Sequence, residues 1–283
     1  MPKIAEMLRE ATAILDRAGV AEARREAGSL LAFALGKDRA FLIAHSDREL
    51  SETEAANYRS LLQRRAQREP FQYITGRQEF YGLDFAVAPG VLIPRPETEA
   101  IVENALEILE TRENPRFCEI GVGSGCISVS MLVNLAKAAA VGLDISPEAI
   151  AIARRNAETH RVAERFELRR SDVYEALAGE RFDLIVSNPP YIPRSEIDDL
   201  QAEVRDFEPL NALTDGGDGL SIIEKIVAGA PRFLEPGGWL LMEIGFGQAA
   251  AVGALFDRRF WRSAEILADL QGIPRTVRAQ TVF

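Results

Sequence analysis

Cysteine, histidine and long apolar runs are all scarce in this sequence. The 283 residues include two cysteines, Cys118 and Cys126, and two histidines, His45 and His160. Two cysteines cannot build a disulfide framework, and their spacing is not that of a metal site, so we expect buried thiols, no metal and a cytoplasmic location. No apolar run approaches the roughly 20 residues of a membrane helix, and the N-terminus lacks the basic and then apolar segments of a signal peptide.

Positive charge is also in short supply. The chain has 33 Lys and Arg against 43 Asp and Glu, which gives a formal net charge of -10. A protein that grips nucleic-acid phosphates needs the opposite balance, so we expect no direct nucleic-acid binding. Hydrophobic residues make up 47% of the chain, which is enough for an ordinary globular core. The length fits one large domain, or one medium domain plus a small one.

The first 70 residues predict a small all-helical domain. Apolar residues recur there at helical spacing, and nothing resembles a strand. Ser51–Glu54 matches a capping box that opens a helix ending near Gln67. No residue pattern in this domain predicts chemistry.

Residues 71–95 differ in composition and predict a short β-hairpin linker. Closely spaced aromatics with intervening glycines occur at 71–76 and 79–85, where we expect its strands. A second domain is then expected over 96–283, and it begins with a helix because Pro96 suits a first helical turn.

Strand and helix patterns alternate regularly after residue 115. This alternation predicts an α/β fold with a doubly wound, mostly parallel, seven-stranded sheet. Strands are expected near 116–120, 139–144, 165–170, 182–187, 238–244, 261–267 and 275–282, and helices near 124–136, 147–159, 218–233 and 247–257.

A glycine-rich loop follows the first of these strands. Its sequence, EIGVGSGC, places three alternating glycines after Glu119 and before Cys126. Glycines let the chain turn tightly and let a ligand approach the main chain. The Walker sequence Gly-Lys-Ser/Thr is missing, and the third glycine, Gly125, comes one residue too early for a dinucleotide fingerprint. Glu119 suits an amino group or a sulfonium better than a pyrophosphate.

Acidic residues end the next two strands. Asp144 lies about 20 residues beyond the glycines, where an acid can accept both hydroxyls of a ribose. Asp172 could receive an adenine amino group while Val173 packs on the ring. Together with Glu119, these residues predict adenosine without phosphates, next to a positive charge, as in S-adenosylmethionine.

The fourth strand ends in the stretch SNPPYI. The Asn188 side-chain oxygen and the Pro189 carbonyl can accept hydrogen bonds from both N–H bonds of a planar –NH2 group. Pro190 biases Pro189 away from the helical region and holds that carbonyl in advance. Tyr191 offers a flat face for an amide or a base. This stretch therefore predicts methylation of a conjugated amino group.

The combination resembles the class I methyltransferases and, within them, the release factor glutamine methyltransferase family. The resemblance is carried by residues 73–76, 80–83, 92–99, 119–126, 187–192, 207–209, 216–220 and 234–238. It implies methyl transfer from S-adenosylmethionine to the amide N5 of a glutamine in peptide chain release factors, with the helical domain docking the release factor. Val173 stands where family members often have an aromatic, for which Tyr174 could compensate, and Glu119 where they often have Asp.

The resemblance also implies roles for individual residues. A monomer is expected, with a release factor as its partner. Catalysis is expected of Asn188, Pro189, Pro190 and Tyr191, cofactor binding of Glu119, Gly121, Val122, Gly123, Ser124, Gly125, Asp144, Asp172, Val173 and Asn188, and substrate binding of Asn188, Pro189, Pro190, Tyr191, Arg95, Glu97 and Thr98.

Other functions remain open on the residues alone. A nucleic-acid N-methyltransferase acting on adenine or guanine amino groups would use the same Asn-Pro-Pro-Tyr chemistry, although it would need a basic surface or a recognition domain. A cofactor sensor without catalysis is a further alternative, but the glycine loop and Asn188 are intact. A nicotinamide dehydrogenase is disfavoured by the early third glycine.

Overall fold

Residues 1–269 and 271–282 are described by a computed structural model, in which the chain divides into two units. The first unit combines Met1–Gly76 with Gln201–Phe207, and the second combines Arg77–Leu200 with the residues from Glu208 onward. Each unit has its own hydrophobic core.

The first unit is built of helices, as predicted for residues 1–70, but it also includes residues 201–207, which were expected to belong to the second domain. Its first helix buries Ile4, Met7, Ala11 and Leu15 on one face, because this spacing lines up apolar side chains along a helix. The capping box of Ser51–Glu54 is present at the start of the fourth helix. The helices are α1 (Ile4–Arg17), α2 (Ala23–Leu35), α3 (Arg39–Ala44), α4 (Glu52–Ala66), α5 (Phe71–Thr75) and, from the later segment, α9 (Ala202–Phe207).

Ion pairs hold the later segment in the first unit. The Arg65 side chain, which is 5% exposed, donates hydrogen bonds to Glu26 and, at 2.8 Å, to Glu203 of α9. Arg68 also donates to both carboxylate oxygens of Glu203. Burial alone would raise the pKa of Glu203, but hydrogen bonds from Arg68 and Arg65 outweigh it and lower that pKa to about 2.

The predicted strand at residues 71–76 is wrong. This stretch forms helix α5, which starts after Pro70 and ends at Gly76 with a φ of +72°. The short aromatic run is ambiguous by periodicity, while a proline before it and a glycine after it are typical helix boundaries. A hairpin is nevertheless present, and it consists of β1 (Arg77–Phe80) paired antiparallel with β2 (Leu83–Ala86).

The second unit is built around the predicted seven-stranded sheet. The strands are β3 (Arg116–Ile120), β4 (Ala139–Asp144), β5 (Phe166–Arg170), β6 (Phe182–Ser187), β7 (Leu234–Glu243), β8 (Trp261–Ala268) and β9 (Pro274–Thr281). Their order is β5-β4-β3-β6-β7-β9-β8, with parallel pairing from β5 to β7 and antiparallel pairing of β9 with both β7 and β8.

Helices cover both faces of this sheet, so its central strands are apolar on both sides. Leu184 and Val186 belong to one core, and Ile185 belongs to the other. The helices are α6 (Glu99–Leu109), α7 (Cys126–Asn134), α8 (Pro147–Thr159), α10 (Leu210–Leu213), α11 (Ser221–Gly229) and α12 (Ala249–Gly253). In the described part of the chain, the structure contains no helix with the length and apolar character to cross a membrane.

The strand order reverses between β3 and β6. The chain proceeds outward from β3 through β4 to β5 and then returns to β6 on the other side of β3. Such a switch point opens a crevice at the carboxyl ends of the strands. Both the glycine loop after β3 and the SNPPYI stretch at the end of β6 therefore meet at this crevice.

Candidate active site

The carboxyl ends of β3, β4, β5 and β6 border a cavity of about 300 Å³, and all of its lining residues lie in the second unit. Twelve of the predicted site residues line it: Arg95, Thr98, Glu119, Gly121, Val122, Gly123, Ser124, Asp144, Asp172, Val173, Asn188 and Pro190. Gly125, Glu97, Pro189 and Tyr191 are not among the lining residues.

The glycine loop is tied to the neighbouring strand by its main chain. The N–H groups of Gly121 and Val122 both donate to the Leu143 carbonyl, at 2.8 and 3.0 Å. Gly125 has a φ of +78°, and a Cβ added to it would lie 3.1 Å from the Ala153 Cβ. Glycine is needed at this position both for the backbone conformation and for the close approach of helix α8.

Glu119 is buried at the base of the loop, with an exposure of 1%. Its Oε2 accepts hydrogen bonds from the backbone N–H and the hydroxyl of Ser128. Burial raises the pKa of Glu119 to about 8, although the two hydrogen bonds from Ser128 act in the opposite direction. A cation in the cavity would favour the carboxylate form of this side chain.

Asp144 stands at the end of β4 with both carboxylate oxygens engaged. Its Oδ2 accepts from the Gly123 N–H and its Oδ1 from the Ser146 N–H, each at 2.9 Å. Burial raises its pKa. A carboxylate oxygen can accept more than one hydrogen bond, so Asp144 is held in place while it retains acceptor capacity toward the cavity.

Val173 lines the cavity in a left-handed conformation. Its φ is +49°, which is an outlier for a β-branched residue. The Ser171 hydroxyl supports this turn by donating to the Val173 carbonyl at 3.0 Å and accepting from the Ala176 N–H. Backbone strain of this kind is concentrated at functional sites.

Tyr174 does not replace the missing aromatic in the cavity. Its ring stacks on Phe233 with centroids 4.8 Å apart, and its hydroxyl donates to the Ile226 carbonyl at 2.8 Å. The expected compensation for Val173 is therefore wrong, because Tyr174 belongs to the packing between the sheet and α11.

A chain of hydrogen bonds runs behind Asn188. The Asn188 Nδ2 donates to the Thr98 hydroxyl at 3.0 Å, and this hydroxyl donates to Glu243 Oε2 at 2.7 Å. The Tyr191 hydroxyl donates to Glu243 Oε1 at 2.9 Å. Burial and the nearby Glu243 carboxylate raise the pKa of Tyr191, which therefore stays a donor.

The loop after β6 lies directly beside the glycine loop. A Cβ added to Gly121 would lie 3.8 Å from the Asn188 carbonyl oxygen, and the Ser187 hydroxyl donates to the Ile120 carbonyl at 2.8 Å. Ile120 and Ser187 are also register partners in the parallel pair β3 and β6. The loop predicted to bind the cofactor and the loop predicted to bind the acceptor are thus neighbours.

Further contacts clamp the Asn-Pro-Pro-Tyr loop from outside the cavity. Gln248 Nε2 donates to the Tyr191 carbonyl at 2.9 Å, and its Oε1 accepts from the Gly245 N–H. Gly219 has a φ of +80°, and an added Cβ would overlap the Tyr191 carbonyl. The loop is therefore held at its main chain as well as its side chains.

The loop that contains Arg95 has a similar support. The Glu208 carboxylate accepts hydrogen bonds from the Ile93 N–H and from the Arg95 guanidinium. Glu208 has a side-chain exposure of 1%, so this ion pair is largely desolvated. Glu208 thereby connects the stretches 92–99 and 207–209, which are far apart in sequence.

The charges around the cavity suit a cation. Four acids line it, Glu119, Asp144, Asp172 and Asp215, while Arg95 is the one basic side chain among the lining residues that the structure describes, and it is paired with Glu208. A pyrophosphate would meet mostly acidic side chains there. S-adenosylmethionine, with hydroxyls, an amino group and a sulfonium, fits the acceptors present.

Comparison with known proteins identifies the chain. A family model described as the PrmC N-terminal domain matches residues 6–76, and one described as the methyltransferase small domain matches residues 103–218. Release factor glutamine methyltransferase of Geobacter sulfurreducens is 49% identical over 259 residues, which are 92% of this chain and 90% of that protein. The Koribacter versatilis protein of the same name is 43% identical, with 93% of each chain covered. The chain belongs to the release factor glutamine methyltransferase family.

Solved structures agree with the family fold. A methyltransferase from Pyrococcus furiosus has a TM-score of 0.52 at 20% identity, covering 71% of this chain and 89% of that one. A T. thermophilus 16S rRNA methyltransferase in complex with AdoMet and guanosine has a TM-score of 0.53 at 20% identity, covering 72% and 49%. At these identities the likeness concerns the fold alone.

Several supports found in this release factor glutamine methyltransferase family member were not predicted. Glu243, Gln248 and Gly219 hold the Asn-Pro-Pro-Tyr loop, and Glu208 holds the Arg95 loop. Glu208 and Gly219 lie in stretches that carried the family resemblance, which was the available signal. Glu243 and Gln248 had no such signal. In residues 1–269 and 271–282, no group of three or more His, Cys, Asp or Glu could hold a metal ion.

Proposed function

We propose that the protein transfers the methyl group of S-adenosylmethionine to the side-chain amide N5 of a glutamine in a peptide chain release factor. The observation that carries this proposal is the fixed Asn188, whose Nδ2 is bound to Thr98 beside the glycine loop. With the nitrogen engaged in the protein, the Oδ1 acceptor is left for a substrate amide.

The acceptor nitrogen of an amide is a poor nucleophile because its lone pair is delocalised. Asn188 Oδ1 and the Pro189 carbonyl accept hydrogen bonds from its two N–H groups, which favours a pyramidal nitrogen. Bound S-adenosylmethionine supplies an electrophilic methyl on a sulfonium. Attack by the amide nitrogen would form the N–C bond as the S–C bond breaks, and the proton released from the nitrogen would pass to solvent, giving S-adenosylhomocysteine and an N-methyl amide. Pro190 stiffens the loop, and Tyr191 packs on the amide plane.

The cofactor contacts follow the lining of the cavity. We assign the methionine part to the loop from Gly121 to Gly125, which includes Val122, Gly123 and Ser124, and its positive charge to Glu119. Asp144 binds the ribose hydroxyls, and Asp172 and Val173 bound the adenine. The retained acceptor capacity of Asp144 and the excess of acidic lining residues support these roles.

The substrate contacts are assigned to the loop before α6 and to the helical unit. Arg95 and Thr98 line the cavity, whereas Glu97 is exposed outside it and would meet the release factor at the entrance. The unit that contains residues 1–70 docks the body of the release factor. We further propose that the protein acts in the cytoplasm as a monomer and, because its net charge is -10, without gripping nucleic acid.

Mass spectrometry of a release factor treated with protein and cofactor tests this function. The expected product carries one added methyl on a glutamine in an exposed loop. Asn188→Ala should abolish turnover while cofactor affinity falls only modestly. Bulk RNA and DNA with labelled cofactor serve as controls. Label in the nucleic acid, or normal turnover by Asn188→Ala, would contradict the proposal.

A further inference from the structure

A buried carboxylate behind the catalytic loop has no part in the chemistry described above. Glu243 ends β7 with an exposure of 2%, and both of its oxygens accept hydrogen bonds, one from Thr98 and one from Tyr191. A buried carboxylate is costly unless its partners compensate for lost hydration. Its hydrogen bonds with Thr98 and Tyr191 therefore indicate that it has a function in this part of the site.

The hydrogen-bond directions in this chain are determined by the carboxylate. Both oxygens of Glu243 accept, so the single proton of the Thr98 hydroxyl is donated to it. Burial raises the pKa of Glu243, while the hydrogen bonds from Thr98 and Tyr191 act in the opposite direction. Toward Asn188, Thr98 then has only lone pairs to offer. The Asn188 amide must turn its NH2 group toward Thr98, because the opposite orientation would place two acceptors face to face.

The consequence for Asn188 is a defined amide orientation. An unconstrained amide can exchange its oxygen and nitrogen by rotation, since the two ends have nearly the same shape. Of these two orientations, one presents an acceptor to a substrate –NH2 and the other presents a donor, which would repel it. The chain from Glu243 through Thr98 selects the first orientation.

We propose that Glu243 is a positioning residue that, through the Thr98 hydroxyl, fixes the Asn188 amide with its oxygen toward the amide nitrogen to be methylated. The same carboxylate accepts a hydrogen bond from the Tyr191 hydroxyl and so restrains the direction of the aromatic ring. This proposal rests on the proposed function. In this arrangement Thr98 orients the Asn188 amide, in addition to any contact that Thr98 makes with the substrate.

Two substitutions of Thr98 test whether its hydroxyl positions the Asn188 amide. Thr98→Val keeps the shape of the side chain and removes the hydroxyl, whereas Thr98→Ser keeps the hydroxyl. With Val, the Asn188 amide loses its acceptor and can turn, so kcat on the release factor should fall roughly 10–100-fold, as expected for a misplaced reacting group. The Kd of S-adenosylhomocysteine should change less than about threefold. Thr98→Ser should recover most of kcat.

A second pair of variants tests Glu243 itself. Glu243→Leu removes both acceptors and should lower kcat at least as much as Thr98→Val. Glu243→Gln keeps an oxygen that can accept from Thr98 while its NH2 group faces the Tyr191 hydroxyl, so its kcat should lie between those of Glu243→Leu and wild type. Thermal unfolding and cofactor affinity identify a Glu243 variant that has lost its fold. In that case, the comparison of Thr98→Val with Thr98→Ser tests the proposal.

The outcomes separate this proposal from the proposed function. If wild-type protein does not methylate a release factor, the function itself is wrong. If wild type is active and Thr98→Val retains kcat within about twofold, Glu243 has no positioning role. Equal losses with Thr98→Val and Thr98→Ser, or a parallel loss of cofactor binding, would also overturn it, because they indicate a packing role.

Discussion

Glu119 accepts two hydrogen bonds from Ser128 at the base of the cavity, one from the backbone N–H and one from the hydroxyl. These contacts leave the carboxyl buried, and its pKa is raised to about 8. A carboxyl with a pKa of about 8 is largely protonated at neutral pH. A bound cation would shift it back to the carboxylate form.

Cofactor affinity should therefore depend on pH. Only the carboxylate form of Glu119 attracts the sulfonium and the amino group, so binding should tighten by up to about tenfold per pH unit between about pH 6 and 7.5. Above this range the amino group of the cofactor loses its own proton. Calorimetry in two buffers of different ionisation enthalpy should show release of a proton on binding.

The matched control is Glu119→Gln, which keeps the shape of the side chain and removes its titration. This variant should bind more weakly and with no pH dependence over the same range. A wild-type Kd that stays constant between about pH 6 and 8 would contradict a role for Glu119 in binding the positive charge.

Substitution of Val173 should strengthen cofactor binding. Val173→Phe would add an aromatic ring to the cavity, which Tyr174 does not line because its ring stacks on Phe233. A stack between an aromatic ring and a base contributes about 1–3 kcal/mol. We expect a Kd for S-adenosylhomocysteine at least about fivefold lower, measured by calorimetry. Val173→Ala, which adds no ring, should bind no better than wild type. An unchanged Kd in Val173→Phe would place the adenine elsewhere.

Two glycines near the catalytic loop form another matched pair. Gly219 and Gly216 have φ values of +80° and +83°, but only at Gly219 would an added Cβ overlap the Tyr191 carbonyl, while Gly216 has open space. Both changes to Ala should cost about 1–2 kcal/mol of stability through the backbone. Gly219→Ala alone should also lower kcat, by roughly 100-fold, because it displaces the loop. Equal kcat values would show that the Gly219 contact does not position the loop.

The ion pairs of Glu203 should stabilise the helical unit. Glu203→Ala leaves the buried Arg65 with one acceptor fewer and should lower the free energy of unfolding by about 1–3 kcal/mol. Asp206→Ala, on the exposed side of the same helix, should change it by less than about 0.5 kcal/mol. Denaturant titration of both variants measures the difference.

The pH dependence of stability gives a second measure of Glu203. Its pKa is lowered in the folded protein to about 2, so its contribution is present above the ordinary glutamate value near 4.5 and is lost as pH falls toward 2. Wild type should lose more stability across this window than Glu203→Ala. Parallel curves would mean that Glu203 is not ionised in its pairs.

Elements were predicted correctly where the apolar pattern of the sequence matches the burial of the same residues in the structure. Strand β6 is apolar on both faces, and its run Phe182–Ser187 was located because a central parallel strand needs such a sequence. The glycine loop and Asn188 were predicted at strand ends near the switch point, because ligands bind there in this class of sheet. The stretch 71–76 failed because a short aromatic run fits a strand or a helix equally well, and only its boundaries Pro70 and Gly76 distinguish them.

The unpredicted parts of the site depend on distant contacts. Glu243 is a single acid at the end of a strand. Its proposed role depends on hydrogen bonds from Thr98 and Tyr191, which lie elsewhere in the chain. Tyr174 looked suited to the cavity by position, but its ring direction is set by Phe233. Neither relationship leaves a periodicity or a spacing in the sequence.

The division of the helical unit between two segments has a consequence for synthesis on the ribosome. Arg65 and Arg68 emerge early, but their partner Glu203 is translated only after β3 to β6 are complete. The first helices can pair Arg65 with Glu26 at once, but the contacts of Arg65 and Arg68 with Glu203 form only after β3 to β6 have been made. Helix α9 thus makes completion of the amino-terminal unit a late event in the biogenesis of the enzyme, so a nascent chain cut short before Glu203 would leave both units unfinished.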